Sequence, residues 1–209
     1  MKRIMGVDEA GRGPVLGPLV VGAVVAEESS MEGFRELGVR DSKALTRKAR
    51  ERIYDRLVER YRLEYELILP AAINHPDSNL SQLEYDTVSV LVARHEPDLL
   101  VVDAFLPPEK LAKRLTRQFP SVAVIAEWKA DENYPIVSAA SIVAKVIRDR
   151  EVDRLKDIHG DLGSGYPGDP KTKTWLKREL LKNRLVVQHL PECVRVKWST
   201  VRRLRDEPP

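Results

Sequence analysis

Two short apolar runs that each stop on an acid constrain this chain more than any other feature. Ile4 to Val7 leads into Asp8 and Glu9, and the run Asp98–Asp103 (DLLVVD) closes on Asp103. Apolar runs this short read as strands buried on both faces. A charged residue has no place inside such a strand, so each acid marks a strand end. In an α/β sheet, side chains at the carboxyl ends of adjacent strands can meet at one edge. A third acid, Asp131, stands just before a long helical pattern. The sequence therefore predicts a sheet with acids gathered at its edge.

The other elements fit that sheet. Leu19 to Ala26 is a second Val-rich strand, and the Gly11–Pro18 stretch before it holds three glycines and two prolines, so it is a loop. Arg62 to Leu69 alternates with period two, as a strand does. Leu45, Ala49, Ile53, Leu57 and Tyr61 recur every four residues and predict an amphipathic helix with Thr46 or Ser42 near its start. Leu80–His95 and Pro108–Phe119 read as helices, and Ser121–Ala126 as a strand. Tyr134–Asp157 is a long helix, apolar nearly all round, and so belongs at the centre. Leu162–Pro170 is a Gly/Pro-rich loop, after which the chain is basic and helical. The first three strands are close enough in sequence to pair antiparallel, and the last two sit in βα units. The expected class is α/β: a mixed five-stranded sheet flanked by helices, with a helical C-terminal extension. The expected division is a domain over residues 1–160 and a basic extension over 161–209 packed on it.

Composition removes several classes. A 209-residue chain with 43% hydrophobic residues can bury a real core. The longest nearly apolar run, Val15–Ala26, is 12 residues and contains Gly17, Pro18 and Gly22, too short and broken to span a bilayer. Met1-Lys2-Arg3 resembles the start of a leader, but Asp8, Glu9 and Arg12 fall where its apolar segment would lie. The single cysteine, Cys193, excludes an internal disulfide framework and a multi-cysteine zinc site. A cytoplasmic monomer with no membrane partner is expected. Seven side-chain amides (four Asn, three Gln) beside 32% charged residues are compatible with a thermophilic source. The net charge of +3 is unevenly spread: residues 171–205 hold 11 Lys/Arg against Glu179 and Glu192, a balance of +9. That basic end predicts a polyanionic partner, although a solvated helical face would look the same.

Clustered carboxylates repel, and some become protonated unless a cation sits among them. Oxygen-only ligands favour a hard ion, Mg²⁺ or Mn²⁺. Two such ions can clamp a phosphodiester and activate an attacking water. Asp8 is expected to bridge the pair, with Glu9 and Asp103 beside it and Asp131 on the second ion. Read singly, each acid could equally be a helix cap or a surface charge. Neighbours on a regular strand point to opposite faces, so Asp8 and Glu9 converge only if the strand ends at Asp8, or if Glu9 contributes from the side or through its carbonyl. On the central helix Ser138, Ser141, Lys145 and Arg148 form one polar stripe, which can line a phosphate path or simply permit tight packing.

Residues 8–18, Asp-Glu-Ala-Gly-Arg-Gly-Pro-Val-Leu-Gly-Pro, fit a dinucleotide fingerprint poorly, since a strand follows where a helix is required. The segment closely resembles the signature of the ribonuclease HII family. The resemblance continues through Asp41-Ser42-Lys43, through Asp103 after its apolar strand, and through Asp131 followed by Ser138-Ala139-Ala140-Ser141-Ile142-Val143-Ala144-Lys145-Val146. It ends at Gly163-Ser164-Gly165-Tyr166-Pro167. The type 3 relatives typically carry Lys where Arg12 stands. These five elements, in order, are similar to the archaeal form of the family.

The resemblance implies a ribonuclease H-like fold and a divalent-metal endonuclease acting on RNA–DNA hybrids and on ribonucleotides embedded in duplex DNA. It implies Asp8, Glu9, Asp103 and Asp131 as catalytic, metal-holding acids. Gly11, Arg12, Gly13 and Tyr166 would read the ribose 2′-hydroxyl, the group that separates RNA from DNA. Lys43, Ser141 and Lys145 complete the expected substrate-binding set. Water would attack in line on the 5′ side of a ribonucleotide, leaving 3′-hydroxyl and 5′-phosphate ends. Other ribonuclease H-fold nucleases, such as a DNA resolvase, and a non-catalytic nucleic-acid clamp remain as alternatives. An Asp-nucleophile phosphatase would need a second Asp where Ala10 stands. Trp198–Pro209 lacks a sliding-clamp-binding box of Gln with paired aromatics, which leaves clamp binding open.

Overall fold

The computed structural model describes residues 2–39 and 45–206. The chain forms two compact units that interleave in sequence. The first comprises residues 1–10, 20–66 and 81–147, and the second comprises 11–19, 67–80 and 148–209.

The first unit carries a five-stranded sheet. Its strands are β1 (Arg3–Ala10), β2 (Leu19–Glu27), β3 (Arg62–Ile68), β4 (Leu99–Asp103) and β5 (Ala123–Glu127), in the order β3-β2-β1-β4-β5. β1 runs antiparallel to β2, from Arg3 opposite Glu27 to Ala10 opposite Val20. It runs parallel to β4, and β4 runs parallel to β5. The apolar strands β1, β2 and β4 lie inside the sheet, while the charged, alternating β3 takes an edge. The mixed five-stranded sheet flanked by helices is thus the predicted one.

Helices α1 (Gly33–Glu36), α2 (Arg47–Val58), α4 (Leu80–His95), α5 (Pro108–Gln118) and α6 (Ala130–Asn133) belong wholly or almost wholly to this unit. Thr46 caps α2, its hydroxyl accepting from the Ala49 amide at 3.2 Å. The single-turn helices carry no periodicity, so the sequence does not reveal them. The long α7 (Pro135–His159) begins here, and its residues from Arg148 onward belong to the second unit. It lies directly on the sheet. A Cβ on Gly6 would stand 2.6 Å from the Ile136 carbonyl group, and one on Gly22 would stand 2.6 Å from the Ala140 carbonyl oxygen. Glycine at these two strand positions lets helix and sheet backbones approach to contact. Ala139, Ala140, Ile142, Val143 and Ala144 of α7 are fully buried, as its all-round apolar sequence predicts.

The second unit contains the Gly11–Leu19 loop, α3 (Pro70–Asn74), the end of α7, α8 (Pro170–Lys182) and α9 (Ser199–Asp206). Its core holds Val15, Leu16, Leu155, Leu162, Trp175, Leu176, Leu180, Val194 and Val201. Pro170 opens α8, and Asp169 caps it by accepting from the Lys171 amide at 2.9 Å. Among the described residues, no helix is long and apolar enough to cross a membrane.

Candidate active site

β1 continues through Ala10, so Asp8 and Glu9 point to opposite faces of the sheet. The possibility that the strand stops at Asp8 is thereby removed. Asp8 is 5% exposed and sits opposite Gly22, on the face that α7 covers. Val7 pairs with Val102 in the parallel β1–β4 ladder, so Asp8 and Asp103 are the next residues along neighbouring strands. Asp131 is buried in α6. One carboxylate oxygen from each of Asp8, Asp103 and Asp131 lies within 4.8 Å of the other two. Glu9 is not in that group. Half-buried, it lines a small void together with Asp8, Asp103, Val21, Val88, Phe105 and Glu84, so it stays beside the cluster.

Local hydrogen bonds fix the three acids. The Glu9 amide donates to Asp8 Oδ1 at 2.7 Å, and the Ala130 amide donates to Asp103 Oδ1 at 3.1 Å. Lys129, at φ 61°, adopts the left-handed conformation in the turn between β5 and α6 that leads to Asp131. The hydroxyl of Ser141, fully buried on α7, hydrogen-bonds the Asp8 carboxylate, and Lys145 Nζ donates to Ser141 Oγ at 3.0 Å. The polar stripe of α7 therefore reaches Asp8.

Burial pushes the Asp8 carboxyl well above the usual carboxylate range, and the neighbouring charges of Glu9 and Asp103 push it the same way. The Ser141 and Glu9 N–H hydrogen bonds only partly offset them. Buried beside the like charges of Glu9 and Asp103, Asp8 is stable as an anion only beside a cation. The ligand atoms of the three acids are all oxygen, which suits a hard dication. The donor set fits Mg²⁺ or Mn²⁺.

The second unit holds the other predicted substrate residues. Gly11, at φ +101°, turns the loop after β1, and Arg12 and Gly13 reach its surface. The Tyr166 ring lies beside Gly13, 3.6 Å from where a Cβ would stand. Arg148 Nη2 donates to the Ser164 carbonyl at 2.6 Å, and its guanidinium sits 4.8 Å above the exposed Tyr166 ring. The loop carrying Tyr166 is also braced from α8. The Ser164 amide donates to Asp169 Oδ2 at 2.6 Å, and the Gly165 amide to Thr172 Oγ1 at 3.0 Å. Lys43, with Asp41 and Ser42, lies outside the described residues.

Four residues are not marked by the sequence pattern. Glu84 is fully buried on α4, and its spacing matches the apolar face around it. Arg195 and Trp198 look like members of the basic tail, yet Arg195 is fully buried. Lys197 also leaves the expected basic surface, since its ammonium donates to the carbonyls of His75 and Pro76.

A mixed sheet that brings Asp8 and Asp103 of neighbouring strands together with Asp131 is the architecture of a metal-dependent nuclease of the ribonuclease H-like fold. The comparisons with known proteins agree. The family Ribonuclease HII matches residues 5–201. A Ribonuclease HII of Pyrococcus horikoshii is 42% identical over 209 aligned residues, covering 98% of this chain and 93% of that protein. The crystal structure of ribonuclease H2 from Pyrococcus horikoshii OT3 superposes with a TM-score of 0.88 at 41% identity, over 97% of both chains. The Archaeoglobus fulgidus RNase HII, solved in a PCNA:RNase HII complex, gives a TM-score of 0.88 at 38% identity, over 98% of both chains. The chain belongs to the ribonuclease HII family and is a ribonuclease H, a metal-dependent phosphodiester hydrolase.

Proposed function

We propose that this enzyme hydrolyses the RNA strand of RNA–DNA hybrids and cuts on the 5′ side of ribonucleotides embedded in duplex DNA, leaving 3′-hydroxyl and 5′-phosphate ends. The observation that carries this reading is the meeting of Asp8, Asp103 and Asp131 oxygens within 4.8 Å, with Asp8 and Asp131 buried and Asp103 partly so. These acids would hold divalent ions, with Glu9 contributing from beside Asp8. Bound there, two Mg²⁺ or Mn²⁺ ions supply charge neutralisation at the phosphate and a lowered pKa for the attacking water.

The chain's own residues supply positioning and discrimination. Ser141 holds the Asp8 carboxylate, and Lys145, bonded to Ser141, offers a cation toward a phosphate. Arg12 and Lys43 complete the phosphate contacts. Backbone groups of Gly11–Gly13 and the Tyr166 hydroxyl meet the ribose 2′-hydroxyl, which both donates and accepts. The groove between α8 and α9, lined by Lys173, Lys177 and Arg203, grips duplex backbone without reading sequence. Functionally, residues 1–160 act as the catalytic domain and 161–209 as its basic extension. The enzyme works as a cytoplasmic monomer whose partner is nucleic acid.

The test is cleavage of a DNA duplex carrying one ribonucleotide, with and without Mg²⁺, beside an all-DNA duplex. Metal-dependent incision 5′ of the ribonucleotide, and none of the control, is expected. Cutting of the all-DNA duplex at a similar rate would point instead to a nuclease indifferent to ribose.

A further inference from the structure

We infer that Arg195 and Trp198 are positioning residues for ribonucleotide recognition: they hold the Arg12–Gly13 peptide so that its N–H faces the ribose. This rests on the proposed role of the Gly11–Gly13 loop and adds what sets that loop's geometry.

One C-terminal segment takes up the loop's carbonyls. Arg195 Nη1 donates to the Arg12 carbonyl at 3.3 Å and its Nε to the Gly17 carbonyl at 2.9 Å. The Arg195 amide donates to the Val15 carbonyl at 2.8 Å, and Trp198 Nε1 donates to the Gly13 carbonyl at 3.1 Å. The return bond runs from the Gly17 amide to the Cys193 carbonyl at 2.8 Å. The guanidinium lies 5.0 Å from the Trp198 ring, so the two side chains also hold each other.

The segment is itself anchored. The Asn74 side chain donates to the Val194 carbonyl at 2.7 Å and accepts from the Val196 amide at 2.9 Å. A fully buried arginine is costly unless its donors are used. Here two of those donors go to carbonyls of the Gly11–Leu19 loop.

The consequence for recognition follows from peptide geometry. In a planar trans peptide the C=O of one residue and the N–H of the next point in opposite directions. Arg195 draws the Arg12 carbonyl inward, so the Gly13 N–H is turned outward, and Gly13 is exposed. Fixing the Gly13 and Gly17 carbonyls orients no further donors, because Pro14 and Pro18 follow and have none. Of the peptides that Arg195 and Trp198 side chains grip, only Arg12–Gly13 therefore presents an N–H. Tyr166, whose ring lies beside Gly13, marks the same spot.

The experiment measures Kd for a duplex with one ribonucleotide and for the matching all-DNA duplex, in an Asp8→Asn background that leaves substrate intact. Their ratio reports ribose discrimination. Trp198→Phe keeps an aromatic ring and removes the indole N–H donor, Arg195→Lys keeps the charge and removes the fork, and Tyr166→Phe tests the loop reading directly. We expect Trp198→Phe to lower discrimination three- to tenfold, with all-DNA affinity within twofold and the melting temperature nearly unchanged. Arg195→Lys should lower it at least tenfold, and if that variant does not fold, Trp198→Phe decides. If Tyr166→Phe lowers discrimination and Trp198→Phe does not, the positioning role is overturned while the loop reading stands. If neither changes it, the loop reading fails and takes the inference with it. An equal loss of affinity for both duplexes means a merely structural role and also overturns the inference.

Discussion

Replacing Asp8 by Asn should make the metal-free protein more stable while abolishing its activity. Asp8, Asp103 and Asp131 bring carboxylate oxygens within 4.8 Å of one another. Two unit charges at that distance repel by about 3.5 kcal/mol at an effective dielectric of ~20. Removing the Asp8 charge deletes two such pairs, about 7 kcal/mol if every acid stayed ionised. Protonation caps the relief. Holding one ordinary carboxyl protonated at pH 7 costs about 4 kcal/mol, so a metal-free site relaxes that way first. Asn keeps the shape and can still accept from the Glu9 amide. The expected gain is therefore about 1–4 kcal/mol, or roughly 3–12 °C in melting temperature for a chain of this size.

The pH dependence has a definite sign. The folded-state pKa of Asp8 is raised, by burial first and then by Glu9 and Asp103, so the folded protein holds its proton above the unfolded value of 3.8. Wild-type stability then falls as pH rises from about 4 through the folded pKa. Thermal unfolding in EDTA should show wild type and Asp8→Asn nearly equal at pH 4 and furthest apart near neutrality. Mn²⁺ should close the gap by stabilising wild type. An Asp8→Asn variant that melts below wild type in EDTA at pH 7, or a gap indifferent to pH, would refute the electrostatic reasoning.

Other consequences are checked as directly. Gly22→Ala would drive a Cβ to within 2.6 Å of the Ala140 carbonyl oxygen, so urea unfolding should show a loss of about 3 kcal/mol or more, with reduced cleavage as α7 moves relative to Asp8. Burial pushes the Cys193 thiol up to about 11 from 9.0, so it should resist iodoacetamide at pH 8 in the folded state and react once unfolded. The same shift means stability is lost as pH rises from about 9 through 11, to an extent on the order of 2–3 kcal/mol, and Cys193→Ala should remove that slope. Substituting Lys173, Lys177 or Arg203 by Gln should each lower the slope of log Kd against log salt by about one for duplex DNA, with little change in ribose discrimination.

What the sequence disclosed follows from where periodicity and charge are unambiguous. Asp8 and Asp103 are legible because an apolar run that stops on a carboxylate has few other uses, although β1 runs two residues past Asp8. The central position of the first half of α7 is legible because Ile136 to Val146 is apolar on nearly every face, whereas the half from Arg148 on is charged and partly exposed. The conflict between Asp8 and Glu9 was visible as a period-two problem, but its resolution needed the strand's end. β1 runs on to Ala10, so the two side chains leave the strand on opposite faces, while Glu9 still lines a void with Asp8 and Asp103 and its charge still acts on Asp8. Arg195 and Trp198 were hidden because their partners are backbone carbonyls about 180 residues away, which leave no mark on local pattern. Charge counting placed Arg195 and Lys197 on a solvated basic face, whereas hydrogen bonds to carbonyls hold one inside and occupy the other. Glu84 was hidden for the opposite reason, because a carboxyl on the buried face of α4 breaks the apolar pattern only once.

In the proposed reaction Asp8, Asp103 and Asp131 act together as a seat for divalent ions, and every later step depends on it. Mn²⁺ titration followed by electron paramagnetic resonance, on wild type and on Asp8→Asn and Asp103→Asn, measures this without any substrate. Saturable binding by wild type, weakened at least tenfold in each variant, is the result expected. Binding of equal strength in all three proteins, or none in wild type at millimolar Mn²⁺, would contradict it.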